Sequence, residues 1–387
     1  MFGQKPFFTI ETNTQLQEIA HHIQNQDIIA VDLEANSLFA YKECISLIQV
    51  STYDNDYVID PLSITNLEPL LCVLRDPSVR KVMHGSDFDI VSFKRDYNTN
   101  IVNLFDTLIA ARFLRYPGLG LAALIEKHFG YHIDKKYQKH NWAQRPLLEE
   151  HLDYARGDTH WLLSLYDLLT ISLKRVNLLE ATLEESTILT EKEWNGKGAQ
   201  ENQFVRLKGF RTLDLVEKKK VRAIWELREE IAEQRDVPSF RIFSNHSIIP
   251  LALADIEGSE YNNILRNSPI GWDKSKLKEI LLAVETDNRP IVVPEGTLKP
   301  QSGPHTEKIL NAIREWRNAK VETEKIDPVI VFSNDQMKEI ARSIPQTPEE
   351  LAEIPGIRKW QCHLYTEEIL SLVDSVFPKR SKKRSVT

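Results

Sequence analysis

The chain has 387 residues, 42% hydrophobic and 27% charged, with 56 acidic against 49 basic side chains and a net charge of −7. This length points to two or three domains rather than one, and the acidic balance excludes a generic nucleic-acid coat protein, so any contact with nucleic acid must come from local basic patches. The three cysteines, Cys44, Cys72 and Cys362, lie far apart with no C-x-x-C pair, which argues against a zinc knuckle or a disulfide framework and fits a reducing compartment.

In chain order, residues 9–26 read as a helix with Leu16, Ile19, Ala20 and Ile23 at helical spacing and Thr12 or Asn13 as its cap. The run Ile28-Ile29-Ala30-Val31-Asp32-Leu33-Glu34 reads as a buried strand ending in two carboxylates. Residues i and i+2 of a strand share a face, so Asp32 and Glu34 project together. Two such acids repel and resist desolvation. Either the strand ends in solvated acids, or a basic partner, a shared proton or a divalent cation neutralises them. Residues 44–51 and 57–61 read as two further strands of an antiparallel meander, the second stopped by Pro61.

Helices then alternate with short strands. Residues 67–74, 87–96 and 119–129 read as helices, residues 80–84 as a fourth strand and 101–104 as a short one, with Asp106 or Thr107 capping the helix that runs to Leu114. Residues 135–145 are polar and basic, and residues 147–174 read as one long helical stretch. This is the order of an α/β domain. Residues 190–208, with Gly196 and Gly198, read as a linker, and the chain beyond residue 208 reads as helical.

That second half holds an internal repeat. Phe243-Ser244-Asn245 recurs as Phe332-Ser333-Asn334, each after a proline (Pro238, Pro328) and each behind a charged helix bearing a tryptophan (Trp225, Trp316). Glycine-containing stops lie downstream at Ile270-Gly271 and Ile354-Pro355-Gly356-Ile357. The expected division is an α/β domain over residues 1–180, a linker at 181–208, helical domains at 209–290 and 305–376 joined by 291–304, and a disordered basic tail at 377–387. The chain shows no long apolar run, and Met1 to Lys5 lacks a signal-peptide core, so the expectation is a cytoplasmic protein without a membrane span.

Further acids fall at Asp87, Asp89, Asp96 and Asp106, with Asp87 a candidate helix cap and Asp89 able to reach the sheet edge, while Tyr154 and Asp158 stand at i and i+4 on one helix face. Taken together, Val31-Asp32-Leu33-Glu34, His84-Gly85-Ser86-Asp87-Phe88-Asp89-Ile90 and Tyr154-Ala155-Arg156-Gly157-Asp158 resemble the three motifs of the DEDDy 3′–5′ exonucleases, and within them RNase D and its exosome-associated relatives. Flanking segments agree: Leu104-Phe105-Asp106-Thr107, Lys135-Lys136-Tyr137-Gln138, Trp142, Arg145-Pro146-Leu147 and Asp158-Thr159-His160. The His-Gly pair of the second motif resembles the exosome-associated branch more than bacterial RNase D. The two helical repeats resemble HRDC domains.

The resemblance implies a ribonuclease H-like catalytic domain, a mixed sheet flanked by helices, followed by two all-α HRDC domains. It selects Asp89 over Asp87. It makes Asp32, Glu34, Asp89 and Asp158 the ligands of two divalent cations, Mg²⁺ or Mn²⁺, which suit hard oxygen donors, and places Tyr154 beside the attacking water. His84 would contact the terminal nucleotide or its phosphate, or else is a packed strand-end histidine. Lys136, Tyr137, Gln138, Trp142 and Arg145, with Lys135 and Lys139, mix bases and aromatics as an RNA-binding segment would, or else form a solvated loop. The implied activity is removal of RNA 3′ ends as nucleoside 5′-monophosphates, with tRNA precursors as substrate and the protein a monomer. The rivals are a DNA 3′–5′ exonuclease and an inactive nucleic-acid-binding scaffold. The Lys135-Lys136-Tyr137-Gln138 context favours RNA, and the presence of every acid disfavours the scaffold.

Overall fold

The structure, a computed structural model, describes residues 5–194, 203–256, 258–266, 274–291 and 304–377. β-branched and apolar residues draw the segment from Ile28 onward into the middle of a six-stranded sheet of order β1-β4-β3-β2-β5-β6. The strands are β1 (Phe7–Ile10), β2 (Ile28–Ala35), β3 (Ile45–Ser51), β4 (Asp56–Ile59), β5 (Arg80–Met83) and β6 (Leu104–Asp106). Strand β3 is antiparallel to both β2 and β4, while β1 pairs parallel with β4 and β5 lies parallel between β2 and β6. The meander is therefore as read from the sequence, and a mixed sheet results.

Helices cover both faces. Val31, Leu33, Ile48, Val50 and Ile59 pack with α1 (Asn13–Gln24), α2 (Glu68–Arg75) and α3 (Asp87–Tyr97). On the other face Ala30, Val82 and Phe105 pack with α4 (Thr107–Phe113), α5 (Leu121–Phe129) and α7 (Leu162–Arg175). Leu47 and Val58, farther along that face, meet Ala155 of α6 (Glu149–His160). Thr12 caps α1 through a reciprocal pair with Gln15, and Asp106 caps α4 by accepting from the Leu108 and Ile109 amides.

Three differences from the sequence reading have local causes. Strand β1 occupies Phe7–Ile10, into which the helical pattern extends; it is a short edge strand immediately ahead of the Thr12 cap. The stretch 147–174 is two helices, broken where Trp161 ends α6 and begins α7; its ring stacks on Phe129 at 4.9 Å. Helix α8 (Leu179–Thr190) lies in the region expected to open a linker, yet Ser186 accepts from the Asp106 amide at 3.2 Å and Thr182 and Ser186 are buried.

The C-terminal part is helical throughout its described residues: α9 (Leu215–Gln234), α10 (Ser239–Ile242), α11 (Asn245–Leu253), α12 (Ser259–Arg266) and α13 (Lys274–Ala283), then α14 (Pro304–Glu324), α15 (Pro328–Val331), α16 (Asn334–Ser343), α17 (Pro348–Ala352) and α18 (Lys359–Val376). The repeat has a shared bond. Arg228 Nη1 donates to the Phe243 carbonyl (3.3 Å) and Asn245 Oδ1 (2.7 Å), and Arg317 Nη1 donates to the Phe332 carbonyl (3.0 Å) and Asn334 Oδ1 (3.2 Å). In that register Trp225 and Trp316 are not equivalent: Trp225 precedes its arginine by three positions and Trp316 by one. Of the helix stops, Gly356 adopts φ +85° ahead of α18, while Ile270-Gly271, Gly196, Gly198, most of 291–304 and nearly all of the tail lie outside the described residues.

Both helical units touch the α/β part. Trp360 packs edge-on against Phe113 at 5.0 Å and its indole donates to Glu185 at 2.9 Å. The Tyr41 amide donates to Asp236 at 3.1 Å, and the Arg241 guanidinium lies 4.9 Å above the Phe39 ring. No helix among the described residues is long and apolar enough to cross a membrane.

Candidate active site

Strand β2 carries the first two acids. Asp32 pairs across the sheet with Gln49 and Glu34 with Leu47, and a register irregularity between Glu34 and Ala35 ends the regular ladder there. Leu47 packs with Ala155, so this face looks toward α6. Asp89 comes from the first turn of α3. The turn that delivers it is built by Asp106, whose carboxylate accepts from the Gly85 amide (3.0 Å), the Ser86 amide (2.8 Å) and the Ser86 hydroxyl (2.8 Å). Gly85 sits at φ +66°, a conformation that costs an L-residue strain. Asp87, by contrast, is exposed and pairs with Lys192. Tyr154 and Asp158 come from α6, one turn apart.

Electrostatics tie these groups into one cluster. Burial pushes Asp32 well above the ordinary carboxylate range, and the charges of Asp89, Asp158 and Glu34 push it further. Glu34 is pushed up to about 9 by burial, then by Asp158 and Asp89. Burial raises Asp89 and Asp158 each to about 7. No group of three or more His, Cys, Asp or Glu side chains among the described residues is arranged, as it stands, to hold an ion. The chemistry of the donor set nonetheless fits a cation. The other buried acids, Asp56, Asp60 and Asp106, all have partners. Asp56 takes bonds from Arg156 and His160 at 2.8 and 2.6 Å, Asp60 from Arg145, and Asp106 from backbone amides. Asp89 is 8% exposed and, with Asp32, Glu34 and Asp158, forms no ion pair among the described residues. Like charges that are buried or half-buried, with no base paired to them among the described residues, leave protonation or a cation as the ways to neutrality.

Tyr154 stands against an aromatic wall. Trp142 stacks on it at 5.9 Å, and Tyr137 meets it edge-on at 5.9 Å. Burial raises its phenol above the ordinary range, helped by Asp158, Glu34 and Asp32. The hydroxyl therefore keeps its proton at neutral pH and can donate a hydrogen bond but is not a general base.

Two of the residues expected to bind substrate do something else. Trp142 is 1% exposed, so neither face of its indole is open to a base; it supports Tyr154 instead. Arg145 has all five N–H donors occupied: Asp60 Oδ2 and Oδ1 (2.6 and 2.7 Å), and the carbonyls of Trp142, Gln144 and Ser46 (2.6, 2.9 and 2.8 Å). No donor remains for a phosphate, and the residue pins the loop to the sheet. Lys135, Lys136, Gln138 and Lys139 are exposed. Lys136 lies 4.6 Å above the Tyr137 ring and 3.5 Å from Glu150, beside a cavity of about 400 Å³ lined by Tyr131, Tyr137, Glu150 and Tyr154. His84 is lowered by burial. Its Nδ1 lies 2.9 Å from the Thr107 hydroxyl, which donates to the Met83 carbonyl at 3.0 Å. Nδ1 therefore carries the proton and Nε2 is the acceptor.

The sequence reading missed the buried Asp56 network and Gln49. Asp158-Thr159-His160 marks one end of that network, but its partner Asp56 lies 104 positions from His160, and no local pattern connects them.

Residues 7–174 match the family model described as 3′-5′ exonuclease, and residues 217–258 and 306–373 match the HRDC domain. Ribonuclease D of Haemophilus influenzae is 27% identical over 349 residues, covering 87% of this chain and 85% of that protein. The exosome complex exonuclease RRP6 of Saccharomyces cerevisiae is 39% identical over 178 residues, 46% of this chain and 24% of the relative. Protein RRP6-like 3 of Arabidopsis thaliana is 39% identical over 168 residues, 43% of this chain and 19% of the relative. The chain thus spans under a third of the length of these RRP6-type relatives. Among solved structures, Escherichia coli RNase D has the same fold, with a TM-score of 0.70, 24% identity and coverage of 96% of this chain and 100% of that one. The catalytic core of Trypanosoma brucei RRP6 aligns with a TM-score of 0.61 and 26% identity over 74% of this chain and 80% of that one.

Proposed function

From a chain whose residues 7–174 belong to the 3′-5′ exonuclease family and whose C-terminal helices belong to the HRDC family, we propose a metal-dependent 3′–5′ exoribonuclease that releases nucleoside 5′-monophosphates. The observation that carries this reading is the set of Asp32, Glu34, Asp89 and Asp158, held on three separate elements and without a cationic partner. Those four residues would hold two divalent cations, Mg²⁺ or Mn²⁺. When bound, such ions supply an activated water and charge neutralisation at the departing 3′ oxygen.

The chain's own groups do the rest. Tyr154, protonated and braced by Trp142 and Tyr137, orients the attacking water. His84 offers an acceptor nitrogen, which suits a ribose hydroxyl rather than a phosphate. The exposed Lys135, Lys136 and Lys139 attract the RNA backbone, with Gln138 and Tyr137 beside them. The names of the relatives, ribonuclease D and exosome exonuclease, support RNA over DNA. The proposed substrates are the 3′ ends of cytoplasmic tRNA precursors, met by a monomer.

The test is digestion of 3′-labelled RNA and single-stranded DNA with Mg²⁺, Mn²⁺ or EDTA. Asp32→Asn is expected to lower kcat by at least about a thousandfold, since each 1.36 kcal/mol of lost transition-state stabilisation is a factor of ten. In EDTA the same variant should melt higher than the parent, because one of the mutually repelling acids is gone. An Asp32→Asn protein that digests RNA as fast as the parent overturns the metal assignment, and equal digestion of DNA overturns the preference for RNA.

A further inference from the structure

Gln49 is wholly buried, and neither its amide nitrogen nor its amide oxygen has a partner among the described residues. A buried amide is costly to leave unpaired, and an apolar side chain of the same shape would avoid that cost. Packing alone does not account for a glutamine there.

Its position does. On β3 the residues on either side of it along the same face are Leu47 and Ser51. Leu47 packs with Ala155 of α6, and the Ser51 hydroxyl lies 2.7 Å from Asp56 and 2.8 Å from Thr159 of α6. Gln49 therefore shares the face that looks toward α6. Its partner across the antiparallel pair is Asp32, and directly opposed Cβ atoms stand about 4.5–5.5 Å apart. Its other neighbour, Val58 on β4, is apolar. The remaining polar groups of this part of the face, Ser51, Asp56, Thr159 and His160, satisfy one another. Among the described residues the Gln49 amide is unpaired, as are the Trp142 indole N–H and the Tyr137 hydroxyl of the aromatic wall that packs with Leu47 and Val58; of these groups Gln49 is the one directly opposite Asp32 across the strand pair, and the Asp32 carboxylate forms no ion pair among the described residues.

We infer that Gln49 is a positioning residue for Asp32: its amide nitrogen donates to one carboxylate oxygen and fixes the direction in which the other is presented. The inference rests on the proposed cation-binding role of Asp32. An oriented carboxylate binds a cation more tightly than one free to turn, and loss of such a supporting bond typically weakens metal affinity about ten- to a hundredfold.

The experiment titrates the full chain with Mn²⁺ alone and reads free ion by electron paramagnetic resonance, comparing the parent with Gln49→Met, Asp32→Asn and the double variant. The expected result is Mn²⁺ binding weakened about ten- to a hundredfold in Gln49→Met, with a metal-free melting temperature no lower than the parent's. The double variant should bind no more weakly than Asp32→Asn, because Gln49 acts through Asp32. Parent-like Mn²⁺ binding in Gln49→Met overturns the inference, and so does an additive loss in the double variant. If Gln49→Met does not fold, Gln49→Leu gives the same reading. If Asp32→Asn itself binds Mn²⁺ as the parent does, the cation role of Asp32 falls, a separate failure from that of Gln49.

Discussion

A carboxylate on this sheet is defined by what faces it. Asp32 and Asp56 lie on adjoining parts of one sheet face, yet their surroundings are opposite. Burial alone would raise Asp56, but the hydrogen bond and charge of His160, with Ser51 and Lys5, outweigh it and hold the group below its ordinary value. A lowered carboxylate contributes stability that is complete above its unfolded value, about 3.9, and is lost as pH falls through the lower folded one. Asp56→Asn should therefore flatten the acid limb of a melting-temperature profile below about pH 4, and cost about 3–5 kcal/mol at neutral pH by removing the carboxylate that Arg156 and His160 share. A variant with the parent's acid limb would show that Asp56 is not the titrating group. Spacing put Asp32 and Glu34 on one strand face and Tyr154 and Asp158 on one helix face, but it left solvated acids and a site as alternatives, and the choice of Asp89 over Asp87 came from the resemblance of the three motifs taken together. The roles of Arg145 and Trp142 were not legible in the sequence. What occupies Arg145 is Asp60, 85 positions away, and a loop sequence of bases and aromatics looks the same whether it faces RNA or its own sheet.

At the scale of elements, the turn between β5 and α3 does the positioning. Asp106 bonds the amides of Gly85 and Ser86 in this turn and those of Leu108 and Ile109 in α4, so both helices start from a single carboxylate. A Cβ at Gly85 would meet Leu108 Cδ2 at 3.2 Å, and the backbone there is left-handed. Gly85→Ala is expected to cost about 1–2 kcal/mol and to lower kcat more than KM, since it moves Asp89 and leaves the exposed lysines in place. A raised KM with unchanged kcat would contradict this. The meander of β2, β3 and β4 and most helices were legible from periodicity, whereas edge strand β1 and the places of β5 and β6 in the sheet were not. The break at Trp161 was not, because an apolar ring keeps the helical pattern across it. The repeat was legible in Phe-Ser-Asn, but the tryptophans obscured its register; the arginine 15 residues before each phenylalanine carries it.

For the whole molecule, the two helical units differ in how they join the α/β part. The apolar core of the second unit is continuous with the sheet: Ala110, Leu169 and Ala181 belong to the same cluster as Ile313, Ile340 and Ile369. The first unit has a separate core around Trp225 and Leu251, to which the catalytic part lends Tyr41. Trp360→Ala removes the ring against Phe113 and the bond to Glu185. It should cost about 3–5 kcal/mol and lower the melting temperature of the α/β part as well as of the second unit, measured with a probe in each. A drop confined to the second unit would show that the cores are independent.

The continuous core also has a kinetic consequence. Buried amides exchange with solvent only when the cooperative unit that contains them opens. Since α7 and α18 share one unit, a ligand held at the site adds its binding free energy to the opening of both. Amides of α18, which lends Ile369 and Val373 to that core, should slow along with those of α7 when cation and RNA are added, while amides of α11 keep their own rate. The second helical unit would then report occupancy of a site that none of its residues touches.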